Sequence, residues 1–426
     1  MTFPNWLQRL FAPPAWPPEF TPGLWHYQRA AGGTVARYHL RVEPDGHGLL
    51  VANASLAARL SPIGVIMARG LLEDTPAAAL LAQASRAFPD APRAALEQDL
   101  GRVQALITDL AAPGDGYPIL NFDDAALVER PGDLIAPLNA DVPLAPPERL
   151  SPLIARLWAV GIPHLTLIVP EAPDPGALLR AVERAEDTGL ITGVRGRASD
   201  LAGGRLLEEL AQAGVDHVNV YWAAADVERH DRLFGAGDQA AARAVFGRLQ
   251  ALEVCPVAEV PLVEATLPHL DETLAALNDL DVAEVGVFAV AELTETADDA
   301  VGADAMPQAA ALMEAAADRR QVRYLWRPPV RRRLSLSLAA QVRRGPRCSD
   351  DLSARVEPDG TVIPPRGPWR SAGNLLKDEW ATVWRHPEFR RFRARLQTPT
   401  RCATCPGLAV CAADCPREPA GWSEEA

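Results

Sequence analysis

Several features that define large classes of proteins are missing from this 426-residue sequence. No run of 18 uninterrupted apolar residues occurs, so we predict no membrane-spanning helix. The apolar stretch at 1–20 is broken by Arg9 and by repeated prolines, and no small-residue cleavage site follows it. We therefore expect no signal peptide and a cytoplasmic protein. The net charge of −13 argues against nucleic acid as a partner, because binding phosphates needs a cationic surface.

Cysteine is also scarce, with six residues in the chain and none before Cys255. Thiols of a protein that is not exported stay reduced, so clustered cysteines indicate metal ligands rather than disulfides. The remaining composition, 48% apolar and 23% charged, is ordinary for a soluble protein. The length predicts two or three domains.

Four of the six cysteines lie in the segment 401–416, RCATCPGLAVCAADCP, with the spacing C-x2-C-x5-C-x3-C. They are Cys402, Cys405, Cys411 and Cys415. Four thiolates so close together bind either a tetrahedral zinc ion or an iron–sulfur cluster, and the spacing alone does not separate the two.

The N-terminal part of the chain divides into an extension at 1–34, a domain at 35–115 and a Pro- and Gly-rich linker at 116–132. Within the domain, two strand-like runs flank the turn signal Pro44-Asp45-Gly46. Three helical patterns follow, at 58–72, 75–88 and 94–110. Short strands followed by three helices predict a winged-helix-like domain.

Strands and helices alternate in the middle region, 133–327. Helix-start signals stand at Ser151-Pro152 and Asp174-Pro175, and glycines follow the expected helix ends. This alternation predicts an α/β fold with a parallel sheet, either open or closed into a barrel. Strand-like runs occupy 133–138, 164–170, 191–196, 217–224, 255–264 and 284–291.

The last region, 328–426, contains five of the six cysteines and resembles a SPASM module, the auxiliary iron–sulfur domain of radical SAM peptide-modifying enzymes. The resemblance rests on Cys348, on VEPDGTVIPP, on SAGNLLKDEWATVWRHPEFRRFR and on the four-cysteine run. It favours an iron–sulfur cluster, 4Fe-4S, over zinc.

This sequence departs from the SPASM pattern at two points. Pro365 replaces the second cysteine, and no cysteine follows Cys415. The family holds two clusters with seven cysteines of the module, and five remain here, so the resemblance implies a single cluster. Cys415, which serves the other cluster in the family, changes partner or leaves an open position. Cys348 is a fifth candidate ligand.

The segments 151–173 and 206–252 resemble the partial (βα)6, TIM-like barrel of radical SAM enzymes, with Glu171 on the Glu of the GGEP motif and His230-Asp231 on an HD pair. The family binds its SAM cluster through CxxxCxxC after the first strand. The corresponding stretch, 139–150, has no cysteine.

The GGEP motif is altered as well, because Val169 and Pro170 replace its two glycines and Pro170 has no N–H. With two parts of one mechanism missing, the resemblance implies a degenerate member without radical SAM chemistry, and we do not expect SAM as a cofactor. We expect Cys255 to be a core residue, Glu171 a relic or a capping carboxylate, and His230 a structural residue.

The domain at 35–115 resembles the PqqD-like RiPP recognition element, through the run HLRVEPDGHGLLVANASLAARLSPIGVIMARGLLED. In that family the leader of a precursor peptide adds a strand to the sheet edge. The alternative is a packing domain that binds nothing. Basic runs at 327–348 and 385–396 flank the cysteines, and we interpret them as solvated faces or as partners of an anionic cluster or protein.

These observations together predict an iron–sulfur protein that is not itself a radical SAM enzyme. We expect it to act in peptide maturation by binding a precursor peptide or a catalytically active radical SAM enzyme, and to relay electrons. Two alternatives stay open: an enzyme that uses the barrel cavity for chemistry without SAM, and a binding scaffold stabilised by zinc.

Overall fold

The computed structural model describes residues 21–31, 34–54, 56–111, 134–282, 284–292, 300–302, 305–333, 335–350 and 352–390. The chain divides into two compact units. The first comprises Met1–Asp115 and Asp133–Ile135, and the second comprises Gly116–Gly132 and Ala136–Ala426.

The first unit begins with an antiparallel sheet whose four strands follow the order β1-β2-β3-β4. The strands are β1 Gly23–Ala31, β2 Thr34–Val42, β3 Gly48–Ala52 and β4 Leu56–Leu60. Strand β1 lies in the segment that we expected to be an extension, and it pairs with β2 along its whole length. Its signal in the sequence is the pair Trp25 and Tyr27, whose period of two places both rings against the core of this unit.

Three helices complete the first unit, as expected: α1 Pro62–Leu72, α2 Ala77–Ala87 and α3 Arg93–Ala111. Helix α1 begins four residues later than predicted, because β4 occupies the start of that stretch. The Ser61 side chain accepts a hydrogen bond from the Gly64 N–H, and Pro62 at the first helical position fits the start. Residues such as Leu40, Val65 and Leu96 form the core between sheet and helices.

The second unit contains a parallel sheet, the central sheet, as the alternation of patterns predicted. Strands β5 to β10 are neighbours in chain order and all parallel. They are β5 Asn139–Pro143, β6 His164–Ile168, β7 Ile191–Gly196, β8 His217–Tyr221, β9 Cys255–Leu262 and β10 Glu284–Glu292.

The prediction of a strand at 133–138 was wrong, because the first strand of the central sheet, β5, begins at Asn139, after the end of that stretch. The apolar run at 133–138 predicts a strand there, whereas β5 alternates Asn139 and Asp141 with apolar neighbours and buries its first four residues. Helix α4 also begins earlier than the predicted start at Ser151, because Pro146 and Pro147 supply an earlier start and Pro152 lies inside the helix. By contrast, α5 begins after Asp174 and ends at Gly189, whose φ is 96°, as its end signals predicted.

Most helices of this unit connect the parallel strands, and the last two belong to the C-terminal region. They are α4 Pro147–Ala159, α5 Pro175–Thr188, α6 Ala198–Leu201, α7 Leu206–Gln212, α8 Val227–Phe234, α9 Asp238–Ala251, α10 Leu270–Asp279, α11 Met306–Arg320, α12 Leu338–Arg344 and α13 Trp380–Trp384. In the part of the chain that the structure describes, none is long and apolar enough to cross a membrane.

Further strands extend the central sheet at both edges. Strands β11 Val301–Gly302, β12 Arg323–Trp326 and β13 Val330–Arg331 pair with β10. At the other edge, β14 Ser353–Val356 runs parallel to β5 and continues into β15 Thr361–Ile363 and β16 Gly373–Asn374. The turn between β14 and β15 contains Gly360 at φ 89°, where a side chain would strain the backbone.

Candidate functional site

A cavity of about 840 Å³ lies at the carboxyl ends of the parallel strands, the edge where α/β sheets usually bind ligands. Residues at the ends of β5, β6, β7 and β8 line it, together with residues of α12 and of the region from β14 to Trp369. The lining residues are Pro143, Leu144, Ile168, Val169, Pro170, Glu171, Arg197, Asp200, Tyr221, Ala340, Arg343, Arg344, Arg355, Glu357 and Trp369.

The connection between β5 and α4 is only three residues long, from Leu144 to Pro146. A CxxxCxxC motif occupies eight positions, and this loop has neither the length nor a thiol. At the end of the next strand, Val169 donates its N–H to the Arg195 carbonyl, and Pro170 lines the cavity without an N–H to offer. The residues of these two strand ends therefore do not fit a SAM-binding cluster.

Glu171 is the residue that corresponds to the Glu of the GGEP motif in the sequence analysis. It lines the cavity, and its side chain is 65% exposed. Its carboxylate lies 3.3 Å from Arg197 Nη1. The same Arg197 donates two hydrogen bonds to Asp200, with distances of 2.7 and 3.1 Å. These hydrogen bonds, opposed by partial burial, raise the pKa of Arg197. Arg197 is thus fully engaged by two carboxylates.

Three further arginines line the cavity. Arg343 and Arg344 come from the last turn of α12, and Arg355 comes from β14. Arg355 forms an ion pair of 2.6 Å with Glu357, and its guanidinium carbon lies 5.1 Å from the centroid of the Trp369 ring. From the sequence we interpreted the basic run that contains Arg343 and Arg344 as a solvated or partner-binding face. The position of α12 in the fold brings these two arginines to the cavity.

Below the cavity, the side of the central sheet that carries Asp141, Arg195, Asn219 and Glu259 is polar and buried, and we call it the polar face. Glu259 binds Arg327 through two hydrogen bonds of 2.6 and 2.7 Å. Burial alone would raise the pKa of Glu259, but Arg327 holds this pKa below its ordinary value. The pair is therefore ionised although neither residue reaches solvent.

A directed chain of hydrogen bonds leads away from this ion pair. Asn219 donates its side-chain amide N–H to Glu259 over 2.6 Å. The carbonyl oxygen of the same side chain therefore faces His217 Nδ1, 2.6 Å away, and accepts a hydrogen bond from it. His217 therefore carries its proton on Nδ1 and accepts at Nε2 from His164, 2.7 Å away. This arrangement requires a neutral His217, and burial lowers its pKa to about 4.

Two glycines make room for these polar side chains. A methyl group on Gly193 would overlap the imidazole of His217, and one on Gly286 would overlap the Glu259–Arg327 pair. The chain's own side chains thus fill the space over this part of the sheet.

The segment after α12 closes over the polar face. Arg195 donates to the Pro346 carbonyl over 3.2 Å, and its guanidinium lies 3.7 Å from Asp141. Ser349 donates its hydroxyl and its N–H to the Asp141 carboxylate, and its carbonyl accepts from Arg327 over 2.6 Å. The residues that flank Cys348 are therefore fixed to the sheet by buried polar contacts.

Cys348 itself is a fully buried thiol. Burial and the nearby Asp141 raise its pKa, whereas Arg347, Arg355 and Arg195 act in the opposite direction. The net effect is a pKa well above the ordinary value of a cysteine, so this buried sulfur is held as the neutral thiol, and the three guanidiniums only partly offset the effect of burial. The other four candidate ligands, Cys402, Cys405, Cys411 and Cys415, lie outside the described residues. Within the described residues, no three His, Cys, Asp or Glu side chains are grouped as a metal site.

The described contacts of His230, Asp231 and Cys255 stabilise the fold. We expected this for His230 and Cys255. His230 is buried and lies between the Ala223 N–H, which its Nδ1 accepts, and the Asp238 carboxylate. Asp231 accepts the backbone N–H groups of the turn at 237–239. Cys255 packs in the core with Val257 and Leu325, and burial raises the pKa of its thiol.

Comparison with known proteins supports part of the sequence interpretation. Residues 348–406 match SPASM, an iron–sulfur cluster-binding domain. No curated protein matches the sequence. The fold is similar to crystal structures of SuiB from Streptococcus suis, over 88% of this chain and 93% of SuiB.

Two of these structures contain ligands. SuiB bound to S-adenosylmethionine superposes with a TM-score of 0.54 at 11% identity, and SuiB bound to the precursor peptide SuiA with 0.53 at 11%. At such identities the likeness shows a shared α/β fold with a parallel sheet and says nothing of activity.

Proposed function

We propose that this chain is an iron–sulfur protein built on the radical SAM–SPASM plan, which no longer binds SAM and serves peptide maturation in the cytoplasm as a binding component. Its central sheet is the partial barrel of that plan. Its partner is a precursor peptide or a catalytically active radical SAM enzyme. The three-residue, thiol-free connection between β5 and α4 is the observation that carries the proposal.

The cavity supports a binding role over a catalytic one. Among the described residues that line it, there is no Ser, Cys, His or Lys, the usual nucleophiles and bases. Two of its acids, Glu171 and Asp200, are already paired with Arg197. What the cavity presents instead is arginine side chains and an apolar wall, a combination suited to holding a ligand.

The peptide is the partner that two observations favour. SuiB, whose fold this chain shares, was crystallised with the precursor peptide SuiA. In the first unit, β4 is the last strand of the sheet formed by the described residues, as a recognition element requires for strand addition. We propose that a peptide pairs with β4 through backbone hydrogen bonds.

Cys348 fits a role as a ligand of the cluster, together with thiolates from Cys402, Cys405, Cys411 and Cys415. Its sulfur is buried among guanidiniums that offset the negative charge of a cluster and its thiolates. A bound 4Fe-4S cluster would supply single-electron transfer.

The test is the content of iron, sulfide and zinc per chain after anaerobic reconstitution, with an assay for reductive SAM cleavage. We expect about four irons with matching sulfide and no SAM cleavage. One zinc without sulfide would make the module a structural support instead. Cleaved SAM would show that the proposal of a lost activity is wrong.

Two cysteine variants refine the test, because both residues are buried and free of disulfides. We expect Cys348→Ser to lower the iron content and Cys255→Ser to leave it unchanged. Unchanged iron in Cys348→Ser would assign the cluster to the run at 402–415 alone.

A further inference from the structure

The charges in the cavity are not evenly matched. Four arginines and three carboxylates line it. Arg197 pairs with both Asp200 and Glu171, and Arg355 pairs with Glu357. Every carboxylate of the lining is thus already engaged by one of two arginines. The other two arginines of the lining are Arg343 and Arg344, and no carboxylate of the lining pairs with Arg343.

Arg343 is the better placed of these two. It is half-buried, and its Nε donates to the Leu233 carbonyl over 2.7 Å, which fixes the side chain without neutralising its charge. No carboxylate in the described part of the chain forms an ion pair with it. Its two Nη groups, the end that binds a carboxylate with two parallel hydrogen bonds, are not used by the described residues.

The walls around Arg343 indicate what accompanies the anion. Leu144, Ile168 and Tyr221 are apolar or aromatic, and the Trp369 ring is held by Arg355 and Arg347 at 5.1 Å each. A free inorganic anion would gain nothing from these surfaces, whereas a carboxylate on an apolar stem would bury that stem. The volume of about 840 Å³ exceeds what one small ion needs.

We propose that this cavity binds an acidic side chain of a peptide, aspartate or glutamate with apolar neighbours, and that Arg343 holds its carboxylate. This inference rests on the proposed peptide-binding function and names the chemistry that the peptide brings to the cavity. Arg343 therefore determines specificity, selecting an acidic residue at one position of the peptide.

The experiment uses the full chain and two blocked pentapeptides, identical except for a central glutamate or glutamine between leucines. Binding is measured by NMR titration, with glutarate as a third ligand. We expect the glutamate peptide to bind at least about tenfold more tightly than the glutamine peptide, as for a hydrogen-bonded charge pair. Glutarate should bind more weakly than the glutamate peptide, because it lacks the apolar neighbours.

Variants of Arg343 locate the preference. Arg343→Gln should bind both peptides equally, and Arg343→Lys should retain part of the preference. Arg184→Gln, on an exposed position of α5 away from the cavity, is the matched control and should behave as the unaltered chain. Circular dichroism of each variant verifies that it is folded.

Each contrary result overturns the inference in a distinguishable way. Equal binding of the two peptides would refute carboxylate recognition and leave peptide binding intact. A preference that survives Arg343→Gln would refute the assignment to Arg343. Glutarate binding as tightly as the glutamate peptide would show a site for small dicarboxylates. Binding of neither peptide would refute the inference, while iron content and SAM cleavage would still test the proposed function separately.

Discussion

The polar face of the central sheet and the cavity above it contain the same kinds of charged side chain in opposite situations. On the polar face, Glu259 and Arg327 are shielded from solvent and bind each other with two hydrogen bonds. In the cavity, Arg343 is partly exposed, and the partner that it has among the described residues is the Leu233 carbonyl group. The difference teaches that buried charges must find their partners within the chain, whereas a cation at a cavity wall can be left for a ligand.

The largest expected effect comes from breaking the buried pair. Arg327→Met leaves Glu259 as an unpaired buried charge, and we expect the free energy of unfolding to fall by about 3–5 kcal/mol. Urea denaturation measures this loss. Arg343→Met is the matched control in the cavity, and it should lower the stability by about 1 kcal/mol, the contribution of its hydrogen bond to the Leu233 carbonyl.

A double variant separates the loss of the pair from the cost of an uncompensated charge. Glu259→Met with Arg327→Met should recover much of the stability that Arg327→Met loses, because no buried charge remains. If Arg343→Met were as destabilising as Arg327→Met, the contrast between polar face and cavity would be wrong.

The second prediction concerns pH, because two buried groups of the central sheet titrate in opposite directions. Burial lowers the pKa of His217 from 6.5 to about 4, so the unfolded chain binds the extra proton and stability is lost as pH falls from 6.5 to 4. Burial raises the pKa of Glu284 from 4.5 to about 7, so the folded chain binds the extra proton and stability is lost as pH rises from 4.5 to 7.

Between pH 4.5 and 6.5 these two contributions oppose each other, each amounting to about 3 kcal/mol over its full range. We expect Glu284→Gln to become more stable as pH rises through this window, and His217→Asn to become less stable. Urea denaturation at pH 4.5, 5.5 and 6.5 measures both slopes. Slopes of the same sign in the two variants would show that the groups do not titrate as their environments indicate.

Elements with local signals were predicted from the sequence, whereas an element buried against distant polar partners was not. Helix α5 was predicted well because Asp174 and Gly189 are local signals that need no knowledge of packing. Strand β6 was predicted from its apolar run. Strand β5 was misplaced because Asn139 and Asp141 are buried against polar partners from distant segments, so the pattern of hydrophobicity does not mark them as interior.

For the candidate site, the sequence alone shows which family motifs are altered, and it does not identify the residues that line the cavity. The absent cysteines of the β5–α4 connection and the substitution at Pro170 are readable from the sequence and fit the short loop that the structure shows. Arg343 was not singled out, because a basic run usually marks a solvated face. Only the folding of α12 over the strand ends brings it to the cavity, and no local pattern encodes that placement.

The smallest expected effect tests how tightly the polar face is filled. A methyl group in Gly193→Ala would overlap the His217 imidazole, which Asn219 and His164 hold in place. We therefore expect a loss of about 1–3 kcal/mol in the free energy of unfolding, measured by urea denaturation.

Gly247→Ala is the matched control, because it adds the same methyl group on helix α9, where no atom beyond its chain neighbours and its own helix backbone lies within 4 Å of it. Alanine favours a helix over glycine, so this variant should gain about 0.5–1 kcal/mol. The opposite signs follow from the difference between a filled space and an open one. If Gly193→Ala were as stable as the unaltered chain, the imidazole would have room to move, and the polar face would be looser than its hydrogen bonds imply.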